Sequence, residues 1–66
     1  MTTGQKRIAR RRASRERARI TRERLAREIG VSAQTVYRWE TGTRVPILAL
    51  ELAWDRALRK LIQKTF

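Results

Sequence analysis

Gln34 and Arg38 stand one helical turn apart, and each carries a hydrogen-bonding pattern that fits one nucleobase edge. The glutamine amide offers one donor and one acceptor, which matches the major-groove edge of adenine; the arginine fork offers parallel donors, which match guanine. At about 100° per residue on a helix, Ala33, Tyr37, Gln34 and Arg38 share an arc of about 140°, while Ser32, Val36 and Trp39 centre on the opposite side. The Ala33 methyl can meet a thymine methyl, so the arc reads as a base-facing set. Catalysis has no comparable set. The chain lacks His and Cys, its 6 acids are scattered among arginines, and no glycine-rich loop could cradle a phosphate. No catalytic residue, cofactor or small-molecule ligand is expected, and no metal, because zinc's thiolate and imidazole ligands are missing.

Two capped helices joined by a glycine turn must present that arc. Thr21 offers a side-chain oxygen to open a helix whose inward positions are Leu25, Ala26 and Ile29, and Gly30 closes it. Ser32 then opens the next helix, giving the plan of a helix-turn-helix over residues 21–40. Upstream, residues 6–19 hold no Gly or Pro and are rich in Arg, Ala and Glu, which predicts a first helix. Residues 1–5 read as a flexible arm, and residues 6–66 as one domain. Downstream, residues 47–64 also lack helix breakers. On one continuous helix Ile47, Leu50, Ala53, Trp54, Ala57, Leu58, Leu61 and Ile62 cover about half the circumference. That face is wider than a small three-helix core needs, so Leu58, Leu61 and Ile62, with Phe66, are assigned to a homodimer interface. The fold class is all-α, a compact bundle of four to five helices.

Charge narrows the partner. The 66 residues carry 17 Lys+Arg against 6 Asp+Glu, a net charge of +11, and 14 of the basic residues are arginine. Arginine's planar fork suits phosphates and guanine edges better than lysine's point charge. Residues 1–30 hold +8 of the total, so most of the field lies upstream of the base-facing helix. Double-stranded DNA is the expected partner. No apolar run reaches the roughly 18 to 20 residues of a membrane span, and the N-terminus leads into arginines without a signal peptide's apolar core, so a cytoplasmic location is expected. A single core at this length leaves stability marginal without a disulfide or metal, which also favours self-association.

Residues 15–53 resemble the Cro/repressor (XRE-like) helix-turn-helix family of phage and bacterial regulators. The resemblance rests on Ile20-Thr21, Leu25-Ala26, Gly30-Val31-Ser32, Thr35-Val36, Trp39-Glu40, Gly42 and Pro46 in register. It implies a bundle of about five helices that binds two half-sites as a dimer. It also implies base-facing roles for Ala33, Gln34, Tyr37 and Arg38. Phosphate contacts are implied for Arg22 and Ser32 at helix starts and for Thr41, Thr43 and Arg44 after the recognition helix. Arg15 and Glu40 would form a buried ion pair between the first and third helices. Three features depart from the family pattern. Arg11 and Ser14 replace commonly apolar residues, which predicts a loosely docked first helix, and Arg24 replaces the Glu that would complete a capping box with Thr21. Residues 47–64 lack the usual break between two shorter helices, which leaves Trp54 and Asp55 as the place for one.

The expected function is transcriptional regulation by promoter occlusion. Two alternatives use the same charge differently: a sequence-independent architectural or RNA-binding protein, in which the arginines of residues 7–19 act as an RNA-binding helix, and a DNA-binding subunit of an antitoxin or recombination accessory complex. Trp39 and Trp54 fall on apolar faces, which assigns them to the core rather than to base stacking.

Overall fold

Two hydroxyl caps and two glycines divide the middle of the chain. The computed structural model describes residues 3–65, with side chains from residue 4 onward. It contains α1 (Thr3–Arg17), α2 (Arg22–Ile29), α3 (Ala33–Thr41) and α4 (Leu48–Thr65). The Arg24 amide donates to Thr21 Oγ1 at 3.1 Å, and the Thr35 amide to Ser32 Oγ at 3.1 Å, satisfying donors that each helix start leaves unpaired. Gly30 and Gly42 close α2 and α3 at φ 96° and 77°, in the left-handed region where a Cβ would be strained.

The ends of α1 differ from expectation. The helix starts at Thr3, so residues 3–5 extend it rather than form an arm; Met1 and Thr2 lie outside the described residues. It stops at Arg17 because Arg19 takes φ 58°, a conformation that costs a residue with a Cβ about 1 to 2 kcal/mol. Ile20, only 1% exposed, is seated in the core immediately afterwards, and its amide donates to Arg15 O at 3.1 Å. Burial of Ile20 therefore holds Arg19 in its turn.

The helix after Pro46 is unbroken through Trp54 and Asp55, so the described residues form four helices. Along its length α4 meets α1 and then α2. Glu51 pairs with Arg7 at 3.0 Å and Arg11 at 3.6 Å, whereas Lys60 pairs with Glu28 at 2.6 Å. The hydrogen bond from Lys60 holds the Glu28 carboxyl below its ordinary range, so this tie persists above that range and is lost as pH falls through the lowered value. Covering both neighbours requires the wide apolar face. Leu58 and Leu61 are consequently buried in the monomer's own core with Ala18, Ile20, Leu25, Ala26, Val36, Trp39, Trp54 and Ala57. The dimer interface assigned to them is corrected: they have no free surface to offer. Ile62 is partly buried against the same core, and Phe66 lies outside the described residues.

Nor is α1 loosely docked at Arg11. Its guanidinium lies over the Trp54 ring at 4.7 Å, and only 11% of its side chain is exposed. The ring face and the carboxylates of Glu51 and Asp55 neutralise a cation where an apolar residue was expected. No helix among the described residues is long and apolar enough to cross a membrane.

Candidate nucleic-acid interface

Helix α3 is buried on one side and bare on the other. Val36, Trp39 and Glu40 face inward, while Gln34, Tyr37, Arg38 and Thr41 are exposed, Tyr37 at 50%. Ala33 is partly buried and packs against the core, so its methyl presents less surface than the angular sorting implied. The exposed stripe runs along the helix and carries polar and hydrogen-bonding side chains, a surface that can approach base edges in a major groove.

Beneath the stripe lies a charged junction. Glu40 has a fully buried side chain that receives Arg15 Nε at 2.6 Å and Nη2 at 3.1 Å, and Arg15 Nη1 donates to Ile20 O at 2.8 Å. One arginine thereby ties α1, the turn before α2, and α3. Arg22 adds a third partner, donating from Nε to Glu40 Oε1 at 2.9 Å, and its Cζ lies 5.1 Å from the Tyr37 ring centroid. From the sequence alone Arg22 reads only as a phosphate contact. The signal for more was available in α3: Tyr37 and Glu40 are one turn apart, so a side chain that reaches Glu40 from outside passes beside Tyr37.

Several hydroxyls assigned to phosphates are already occupied. Ser32 Oγ caps α3 and also pairs with Thr35 Oγ1 at 2.8 Å. Thr41 Oγ1 donates to Tyr37 O at 3.0 Å and shares a 3.0 Å bond with Thr43 Oγ1, so the single hydrogen of each hydroxyl is used within the turn. The Thr43 and Arg44 amides both donate to Arg38 O, at 2.9 and 3.2 Å. These residues brace the exit of α3, and the exposed Arg44 guanidinium forms no ion pair among the described residues.

Some cations join helices and others are left without a carboxylate. Arg7, Arg11, Arg15 and Lys60 tie the helices to one another through carboxylates. Arg17, Arg19, Arg24, Arg27, Arg38 and Arg44 are exposed and form no ion pair among the described residues. All six lie in or beside the α2-turn-α3 unit, while Lys6 and Arg10 on α1 and Arg56 and Lys64 on α4 are likewise exposed and form no ion pair among the described residues, so six of these ten cations belong to the unit that carries the bare stripe. A second exposed feature is apolar: Val45, Ile47, Leu48 and Leu52 are 80%, 68%, 69% and 54% exposed, and Ile47, expected on the apolar face of the last helix, instead precedes α4, which begins at Leu48.

A helix-turn-helix family profile matches residues 12–51, more than half of the chain. No curated protein and no solved structure matches it.

Proposed function

Because the chain belongs to the helix-turn-helix family of XRE-type DNA-binding regulators, we propose that it binds duplex DNA sequence-specifically as a homodimer and represses transcription in the cytoplasm by occluding a promoter. The observation that carries this reading is the bare face of α3, with Gln34 and Arg38 exposed one turn apart and unpaired arginines around them. Helix α3 enters the major groove, where Gln34 and Arg38 read base edges, while Ala33 and Tyr37 supply apolar contact. Arg44 and the outer edge of Arg22 take phosphates, and the α2 and α3 starts around Arg22 and Ser32 point amides toward the backbone. Thr41 and Thr43 contribute by shaping the turn that carries Arg44.

One titration tests reading against gripping. After selection of a preferred site from random duplexes, Arg38→Ala should relax preference at one or two base pairs per half-site, by about 1 to 3 kcal/mol, with affinity for random duplex nearly unchanged. In the same series log affinity should fall linearly with log salt, with a slope near −0.9 per phosphate and about four to eight phosphates per dimer. Equal weakening on every duplex would transfer the function to the architectural alternative.

For the dimer, the exposed apolar residues 45, 47, 48 and 52 replace the buried Leu58 and Leu61 as the contact. Residues 45–55 contain Glu51 and Asp55 and no basic residue. Arg7 and Arg11 neutralise these acids within the protomer. Two copies of a +11 chain repel least where charge is cancelled locally. Leu48→Glu with Leu52→Glu should abolish association on the selected site in sedimentation while leaving far-UV circular dichroism unchanged. Retained dimer mass would exclude this face.

A further inference from the structure

Tyr37 is half exposed on the surface of α3, where a tyrosine ordinarily exchanges among side-chain rotamers, and no hydrogen bond holds its hydroxyl among the described residues. What lies against its ring is Arg22, at 5.1 Å from Cζ to centroid. Arg22 is itself anchored, because Nε donates to the buried Glu40 at 2.9 Å. With its Nε–H committed to Glu40 and the Tyr37 ring beside it, the Arg22 guanidinium is held at two points, and its terminal nitrogens form no hydrogen bond among the described residues.

We propose that Arg22 is a positioning residue of the base-reading face, holding the Tyr37 ring in one orientation while its outer edge grips a DNA phosphate. This rests on the reading of α3 as the recognition helix and adds to it a mechanical link between backbone contact and base contact. The charge balance favours it. Glu40 carries one negative charge shared between two arginines, and Arg15 is nearly buried, with its third donor on Ile20 O. The surplus positive charge therefore sits on Arg22, which keeps 31% of its side chain exposed. A phosphate reaching the start of α2 would meet that surplus without displacing the Nε anchor or the ring contact. Its arrival tightens the arginine, and through it the tyrosine, so phosphate register and base register are set together. Lysine could supply the charge but neither the plane nor the Nε donor.

The test uses Arg22→Lys, which keeps the charge and leaves the Arg15–Glu40 pair in place. In the DNA-free protein, scalar couplings should report one Tyr37 χ1 rotamer in the parent and rotamer averaging in Arg22→Lys. On DNA, base pairs whose preference is sensitive to Tyr37→Leu should lose about fivefold discrimination in Arg22→Lys, over and above any weakening shared with random duplex. In the Tyr37→Leu background the same lysine substitution should change discrimination by less than about twofold. A purely structural Arg22 would move the urea midpoint without this dependence on Tyr37. An unchanged Tyr37 rotamer, or equal loss on all duplexes with discrimination intact, overturns the positioning role alone. A parent protein with no preference among duplexes overturns the base reading along with it.

Discussion

Glu40→Ala is expected to leave the domain largely unfolded at 25 °C. The substitution strands Arg15, whose side chain is 9% exposed and whose Nε and Nη2 both lose their acceptor. Removing one partner of a buried ion pair costs about 3 to 5 kcal/mol, because the remaining charge stays desolvated without compensation. A chain of this length has only roughly 3 to 10 kcal/mol of total stability to lose. Arg22 loses its anchor as well, but its partial exposure lets it turn to water, so Arg15 dominates the penalty. Two further variants separate charge from shape. Glu40→Gln should be milder than alanine, since the amide oxygen still accepts one hydrogen bond. Arg15→Met combined with Glu40→Leu should recover most of the loss, as replacing both partners by apolar groups removes the desolvated charges together. Urea unfolding followed by far-UV circular dichroism measures all three. A loss under about 1 kcal/mol for Glu40→Ala would mean the junction does not hold α1 to α3.

Trp54→Ala should be comparably damaging, at about 3 to 5 kcal/mol. Trp54 is 1% exposed, with its ring centroid 5.3 Å from that of Trp39 at a tilt of 37°, and Arg11 lies over the ring. Truncation thus opens a void under α3 and removes the surface that neutralises Arg11. Trp54→Phe should cost only about 1 to 2 kcal/mol. A phenyl ring keeps a face for both neighbours, and the indole Nε1 forms no hydrogen bond among the described residues that could be lost. Arg11→Leu should be close to neutral: it forfeits the cation–π contact, but it also removes a buried Nε that lacks a hydrogen-bond partner. Chemical denaturation followed by far-UV circular dichroism orders the three variants. Equal costs for Trp54→Phe and Trp54→Ala would show that ring packing is not the source of stability.

What the sequence determined by itself is local. Thr21 and Ser32 as caps, Gly30 as a left-handed stop, and the division of α3 into a bare face and a buried face all depend on interactions within about one turn of chain. Those interactions are written in residue types at fixed spacing, which is why Gln34 and Arg38 could be placed outward from the sequence. Tertiary structure decided what depends on distant segments meeting. Leu58 and Leu61 carry the same apolar signature whether they face α2 or a second copy, and only the unbroken run of α4 past both neighbours buries them. Arg11 violates the apolar pattern, and no local rule shows that Trp54 and two acids will receive it. Nothing about arginine marks position 19 as left-handed; the pull of buried Ile20 does. Arg22 likewise reads as a surface cation until folding brings Glu40, eighteen positions later, within 2.9 Å and lays Tyr37 against its plane. A charged side chain's partner is set by long-range packing, because its reach spans more than one helix and its electrostatics favour whichever carboxylate or ring the fold supplies.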